Sequence, residues 1–156
     1  MGYDYSIQEI DKKLGICIEI LYKKDLFLIE NSVSERSISH KLAEYLQFEF
    51  PDWNVDCEYN RMYDQVKELE GISECSAQRN TDRIYPDIIV HGRNTDKNLV
   101  VIEIKIDIDD GCDIKKLEKL TSTRGKFSYK VGYFIRFSKE GKRYFIRRFQ
   151  DGREGS

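Results

Sequence analysis

The residues best placed to do chemistry lie between Tyr85 and Lys105, Y-P-D-I-I-V-H-G-R-N-T-D-K-N-L-V-V-I-E-I-K. Asp87 offers a carboxylate directly after Pro86, and Glu103 and Lys105 offer a carboxylate and an amine on alternate positions. The apolar runs Ile88-Ile89-Val90 and Leu99 to Ile104 flank a polar turn with Gly92, Asn94 and Asp96, the pattern of strand, turn and strand. Alternation sends Val100, Ile102, Ile104 and Ile106 to one face and Glu103 and Lys105 to the other. A hairpin would then carry Asp87 to the end of the second strand that holds both. Two carboxylates and a lysine converging there suit a hard divalent cation beside an anionic substrate. Mg²⁺ takes one or two carboxylates with water and phosphate oxygens, and a bound metal acidifies its water and stabilises phosphoryl charge. The competing reading of Glu103-x-Lys105 is a solvated strand face with a weak ion pair.

Pro86-Asp87 followed by Glu103-Ile104-Lys105 resembles the signature of the PD-(D/E)xK nuclease superfamily. The resemblance implies an α/β fold of α+β type, with a restriction-endonuclease-like αβββαβ core and a mixed central sheet flanked by helices, here with an extra N-terminal helix. It implies that Asp87, Glu103 and the Ile104 backbone carbonyl ligate Mg²⁺, or Mn²⁺ in its place. Lys105 would position the attacking water and stabilise charge on the phosphoryl group. The expected activity is metal-dependent hydrolysis of phosphodiester bonds in nucleic acid, with DNA as the first choice. The alternative is a non-catalytic nucleic-acid- or protein-binding module on the same fold. In the superfamily an acid on the first core helix often completes the cluster, and Glu35 is the candidate. Ser32-Val33-Ser34-Glu35 also fits a capping box, and both readings of Glu35 stand.

The remaining elements must position these groups. Ile7, Ile10, Leu14, Cys17, Ile18 and Leu21 recur at helical spacing between Asp4 and Lys24, with Asp4 or Ser6 as N-cap. A second helix is expected from about Asn31–Ser34 to Phe50, where Pro51 stops it, with the stripe Ile38, Leu42, Tyr45 and Leu46. Val55 to Tyr59 alternates as a strand with Val55, Cys57 and Tyr59 inward, and Arg61 at its end could approach a phosphate. Met62 to Leu69 reads as a short helix and Gly71 to Arg83 as a polar loop, where Arg79 and Arg83 are candidates for gripping a nucleic-acid strand. Asp107, Asp109 and Asp110 read as a solvated loop, with Asp107 on the Glu103 face if the strand persists. Asp113 caps a further helix with Ile114, Leu117 and Leu120 on its apolar face and Lys115, Lys116 and Lys119 on a basic one. Tyr129 to Phe137 and Arg143 to Phe149 read as strands. The whole is one domain over residues 1–150 with a flexible tail at 151–156.

Composition narrows the function classes. A chain of 156 residues, 40% hydrophobic and 35% charged, can bury one core. It has no apolar run long enough to span a bilayer and no secretory leader, so a cytoplasmic protein that does not bind membrane is expected. Cys17, Cys57, Cys75 and Cys112 show no C-x-x-C pair, which argues for reduced thiols rather than zinc. His91 reads as a strand-end surface residue. The formal net charge is −2, yet basic residues outnumber acidic ones from 111 onward, a distribution consistent with a basic face for nucleic acid. With no second domain to read sequence, high site specificity would call for a homodimer or a partner protein.

Overall fold

A computed structural model of the chain describes residues 4–31, 33–59, 61–62, 65–66, 84–140 and 142–155. The first helix, α1 (Ile7–Lys24), opens with a capping box in which the Ser6 hydroxyl accepts the Glu9 N–H and the Glu9 carboxylate accepts the Ser6 N–H. Its stripe of Ile10, Leu14, Cys17, Ile18 and Leu21 is buried. A short α2 (Leu26–Glu30) leads into α3 (Glu35–Glu49), which starts at Ser34 and ends at Phe50, just before Pro51. Next come β1 (Asn54–Cys57), β2 (Arg61–Met62), β3 (Gln65–Val66), β4 (Ile88–His91) and β5 (Asn98–Ile106). The chain closes with α4 (Gly111–Thr121), β6 (Val131–Phe137), β7 (Tyr144–Gln150) and β8 (Arg153–Gly155).

Six strands form one mixed sheet in the order β1-β4-β5-β6-β7-β8. Every neighbouring pair is antiparallel except β5 and β6. Parallel neighbours need a crossover, and α4 provides it. The central strands β4, β5 and β6 bury both faces. Val100, Ile102 and Ile104 of β5 pack with α1 and α3, while Val101 packs with Leu117 and Leu120 of α4. Ile106 lies against the first of these clusters, so the alternation read from the sequence holds along β5. Gly132 in β6 lets α4 seat closely, since a Cβ there would come within 2.9 Å of Thr121 Cγ2.

Three sequence expectations change. Of the helix expected over Met62 to Leu69, Met62, Gln65 and Val66 lie among the described residues, and there β2 and β3 pair as a separate two-stranded sheet; so short a stretch has too little length to repay helix nucleation. The expected tail at 151–156 instead turns back at Asp151 and Gly152, both with positive φ, and adds β8 to the sheet. That is the Asp-Gly hairpin turn. Cys112 is disulfide-bonded, while Cys17 and Cys57 are free, so the reduced state expected of all four thiols does not hold at Cys112. Among the described residues no helix is long and apolar enough to cross a membrane.

Candidate functional site

The site forms where β4 stops and β5 continues. The two strands pair from Val90 opposite Val100 to Ile88 opposite Ile102, and Pro86 and Asp87 precede the first residue of β4, so the ladder to β4 ends before Ile104. The Ile104 N–H is accepted instead by the Asp87 carboxylate (Oδ2, 2.7 Å), and one position further along the same edge the Ile106 N–H is accepted by Glu35 of α3 (Oε2, 3.2 Å). In an antiparallel pair the N–H and C=O of one residue point to the same side. The Ile104 carbonyl therefore faces this same edge, past the last pair that β5 makes with β4.

Glu35 is thus not the capping residue of α3. Ser34 caps the helix by accepting the Ser37 N–H, and the Glu35 carboxylate is committed to β5. Its other oxygen lies 3.8 Å from Lys105 Nζ. The structure brings Asp87, Glu103, Lys105 and Glu35 to one end of β5.

On the face covered by α4, the cluster gains groups that the sequence reading did not assign to it. Glu103 is buried at 1% exposure, and its Oε1 meets Lys116 Nζ at 3.1 Å. Lys116 also meets Asp113 Oδ1 at 3.0 Å. Lys105 Nζ stands 3.5 Å from Asp110 Oδ2 and 3.7 Å from Asp113 Oδ2. The N-cap of α4 is Asp110, which accepts the N–H groups of Cys112 and Asp113, so Asp113 is freed from the capping role expected of it and turns inward. Lys116 likewise leaves the expected basic face, on which Lys115 and Lys119 remain exposed. The signal was present in the sequence: Asp113, Lys116, Leu117 and Leu120 stand at i, i+3, i+4 and i+7, which is one helix face.

Carboxylates outnumber ammonium groups here, and the protonation equilibria register it. Burial, with the charge of Asp113 added, pushes the Asp87 carboxyl up to about 6 against the pull of its Ile104 hydrogen bond and of Lys116 and Lys105. Burial and the neighbouring Asp87 charge push Glu103 well above the ordinary range, against the opposing effect of Lys116. For Lys105, desolvation acts to lower the pKa, and the charges of Asp113, Glu35, Asp110 and Asp87 outweigh it, so the amine stays charged. Two buried oxygens, Glu103 Oε2 and Asp113 Oδ2, accept no hydrogen bond.

Among the described residues no group of three or more His, Cys, Asp or Glu side chains is arranged to hold a metal ion by itself. The donor set nevertheless fits Mg²⁺, which keeps most of its waters and takes only one or two carboxylates. A hydrogen-bond acceptor left unsatisfied in a dry interior costs about 1–3 kcal/mol. A cation would relieve Glu103 Oε2 of that cost, and Asp87, Glu103 and the Ile104 carbonyl are the residues that would hold it. A cavity of about 120 Å³ lined by Arg36, Ser39, Cys57, Glu58 and Asp87 gives access from the α3 side. The Cys57 thiol at its rim is pushed up to about 11 by burial and the surrounding carboxylates, so it is no thiolate nucleophile near neutral pH.

The other expected residues fall elsewhere. Asp107 leaves the Glu103 face: its positive φ turns the chain, and its carboxylate accepts the Lys139 N–H at 3.3 Å. His91 is buried rather than at the surface, with Nε2 2.7 Å from Asp56 Oδ2. Arg79 and Arg83 lie outside the described residues, as does the side chain of Arg61. Part of the C-terminal basic surplus is taken up by ion pairs, Arg136 with Asp109, Arg147 with Glu154, Arg148 with Asp11 and Lys130 with Asp4. Exposed Lys119 shares a different concavity with Arg124 and Arg153, and with the acids Glu118 and Asp151. No protein-family model matches the chain, and no curated protein or solved structure does.

Proposed function

We propose that the chain is a metal-dependent phosphodiesterase acting on nucleic acid, DNA first, with a restriction-endonuclease-like core made by α3, β1, β4, β5, α4 and β6. The observation that carries this reading is the edge of β5 past its last pair with β4: Asp87 and Glu35 take the Ile104 and Ile106 N–H groups, and Glu103 and Lys105 stand on the adjoining face. A divalent cation held there by Asp87, Glu103 and the Ile104 carbonyl supplies Lewis-acid stabilisation of phosphoryl charge and a more acidic water.

The chain's own groups do the positioning. Lys105, half-buried and charged, donates toward a phosphoryl oxygen or the attacking water from an ammonium already held between Glu35, Asp110 and Asp113. Glu35 fixes the end of β5 against α3 and so fixes the direction of Lys105. Lys115 and Lys119 lie on the exposed face of α4, where a backbone phosphate could be met.

Pairing of Glu103 with Lys116 favours a second reading, a non-catalytic binding module in which the acids are already neutralised. The test is to incubate the purified protein with supercoiled plasmid, linear duplex and single-stranded DNA in Mg²⁺, Mn²⁺ or EDTA. Cleavage in either metal and none in EDTA is expected. DNA retention without cleavage in any of the three would favour the binding module.

A further inference from the structure

Lys116 occupies an unusual place for a lysine. Its side chain is 16% exposed, and its ammonium sits between Glu103 Oε1 at 3.1 Å and Asp113 Oδ1 at 3.0 Å. Both of those carboxylates are nearly sealed, at 1% and 5% exposure, and each keeps a second oxygen with no hydrogen-bond partner. One ammonium therefore bridges two buried acids that together have room for more positive charge than it supplies. Lys105 does not fill the deficit, since its ammonium stands 3.7 Å from Asp113 Oδ2 and is shared with Glu35 and Asp110.

Two-metal phosphodiesterase sites hold a second cation beside the first, so that the attacking and leaving oxygens are both stabilised. We propose that Lys116 is the resident cation of this site: it fills the position between Glu103 and Asp113 that a second divalent ion would take, so that the protein binds one divalent cation per chain. The inference rests on the metal-dependent reading of Asp87 and Glu103 given above. A lysine in that position neutralises one charge rather than two, which leaves Glu103 able to hold the single ion through its unpartnered oxygen. It also ties α4 to β5, because Lys116 and Asp113 belong to the helix and Glu103 to the strand.

The experiment counts ions. Mn²⁺ is titrated into wild-type protein, Lys116→Met and Lys116→Arg, with bound and free metal separated by electron paramagnetic resonance and the stoichiometry checked by calorimetry. Wild type and Lys116→Arg are expected to bind one ion per chain and Lys116→Met two, because the neutral side chain leaves the second position to the metal. Should Lys116→Met fail to fold without metal, Lys116→Gln keeps an N–H donor toward both carboxylates while removing the charge, and the same second ion is expected. A neutral variant that binds the same number of ions as wild type overturns the role of Lys116. Wild type that binds none contradicts the metal-dependent reading itself, and the one-ion stoichiometry proposed here falls with it.

Discussion

Beside β4 stand two half-buried acids, Asp56 on the neighbouring β1 and Asp87 just before the strand begins, that the protein treats in opposite ways. Asp56 is fully engaged: His91 Nε2 and Arg93 Nε lie 2.7 and 2.9 Å from Oδ2, and Arg93 also donates to Oδ1. Burial acts to raise its pKa, but the hydrogen bonds from His91 and Arg93 outweigh it and hold the carboxyl well below the ordinary range. Tyr59 packs its ring on His91 at 4.6 Å and closes the cluster. In the other cluster Asp87 is pushed up to about 6, Glu103 is raised as well, and two carboxylate oxygens go without a donor. A satisfied ionic cluster pins a fold. An unsatisfied one costs stability, and such misfit gathers where a ligand is meant to supply what is missing.

The largest effect that would break this contrast is on activity. Asp87→Asn keeps an oxygen for the Ile104 N–H but loses a ligand charge, so Mg²⁺-dependent cleavage is expected to fall by about 10²–10³-fold, read as initial rates of plasmid nicking. Metal affinity should fall with it.

Stability sharpens the same contrast, because the two aspartates should move it in opposite directions. Without metal at pH 7.5, Asp87→Asn is expected to stabilise by about 1–2 kcal/mol, since the wild-type protein holds an ionised carboxylate where a neutral one is preferred. The sign follows from proton binding. Between the ordinary value of 3.8 and about 6 the folded state keeps the Asp87 proton that the unfolded state releases, so stability falls as pH rises through that window. Asp56→Asn should destabilise by about 2 kcal/mol. Its stabilisation is present above 3.8 and lost as pH falls below it toward the depressed folded value. Urea denaturation across pH 3 to 8 in EDTA checks both slopes.

A smaller effect is expected at Glu35. Glu35→Gln keeps an acceptor for the Ile106 N–H, so the thermal midpoint should stay within about 2 °C of wild type, while Mn²⁺ affinity falls several-fold through loss of a nearby charge. A large stability loss with unchanged metal affinity would make Glu35 a purely structural clasp. The smallest effect concerns Lys115 and Lys119. Replacing both by Ala should lower the slope of log affinity for duplex DNA against log salt by about 1–2, the share of two phosphate contacts. Adding Lys116→Ala should not lower it further, because that ammonium faces Glu103.

The site was legible in the sequence wherever strand alternation governed it. Period two places Glu103 and Lys105 opposite Val100, Ile102 and Ile104, and Pro86-Asp87 marks where the neighbouring strand enters the sheet. The rest depends on how helices dock. Asp113 reads as a helix cap and Lys116 as part of a basic outer face, although their spacing with Leu117 and Leu120 puts both on the inner face. Glu35 was ambiguous because Ser32 and Ser34 each offered a cap, and the choice of Ser34 releases the glutamate to β5. Nothing local announces the pairing of His91 with Asp56, which only the register of β1 on β4 brings together. Asp151-Gly152 was legible as a hairpin turn and was passed over because it lies so near the end of the sequence.

The most direct test is Lys105→Ala measured three ways on one preparation: Mn²⁺ affinity, duplex DNA affinity in Ca²⁺, and single-turnover cleavage in Mg²⁺. Lys105 is assigned to the chemical step and supplies no metal ligand, so both affinities should stay within a few-fold of wild type while cleavage falls by at least about 10²-fold. Cleavage at the wild-type rate would contradict the catalytic assignment and return Glu103 and Lys105 to an ordinary charged strand face.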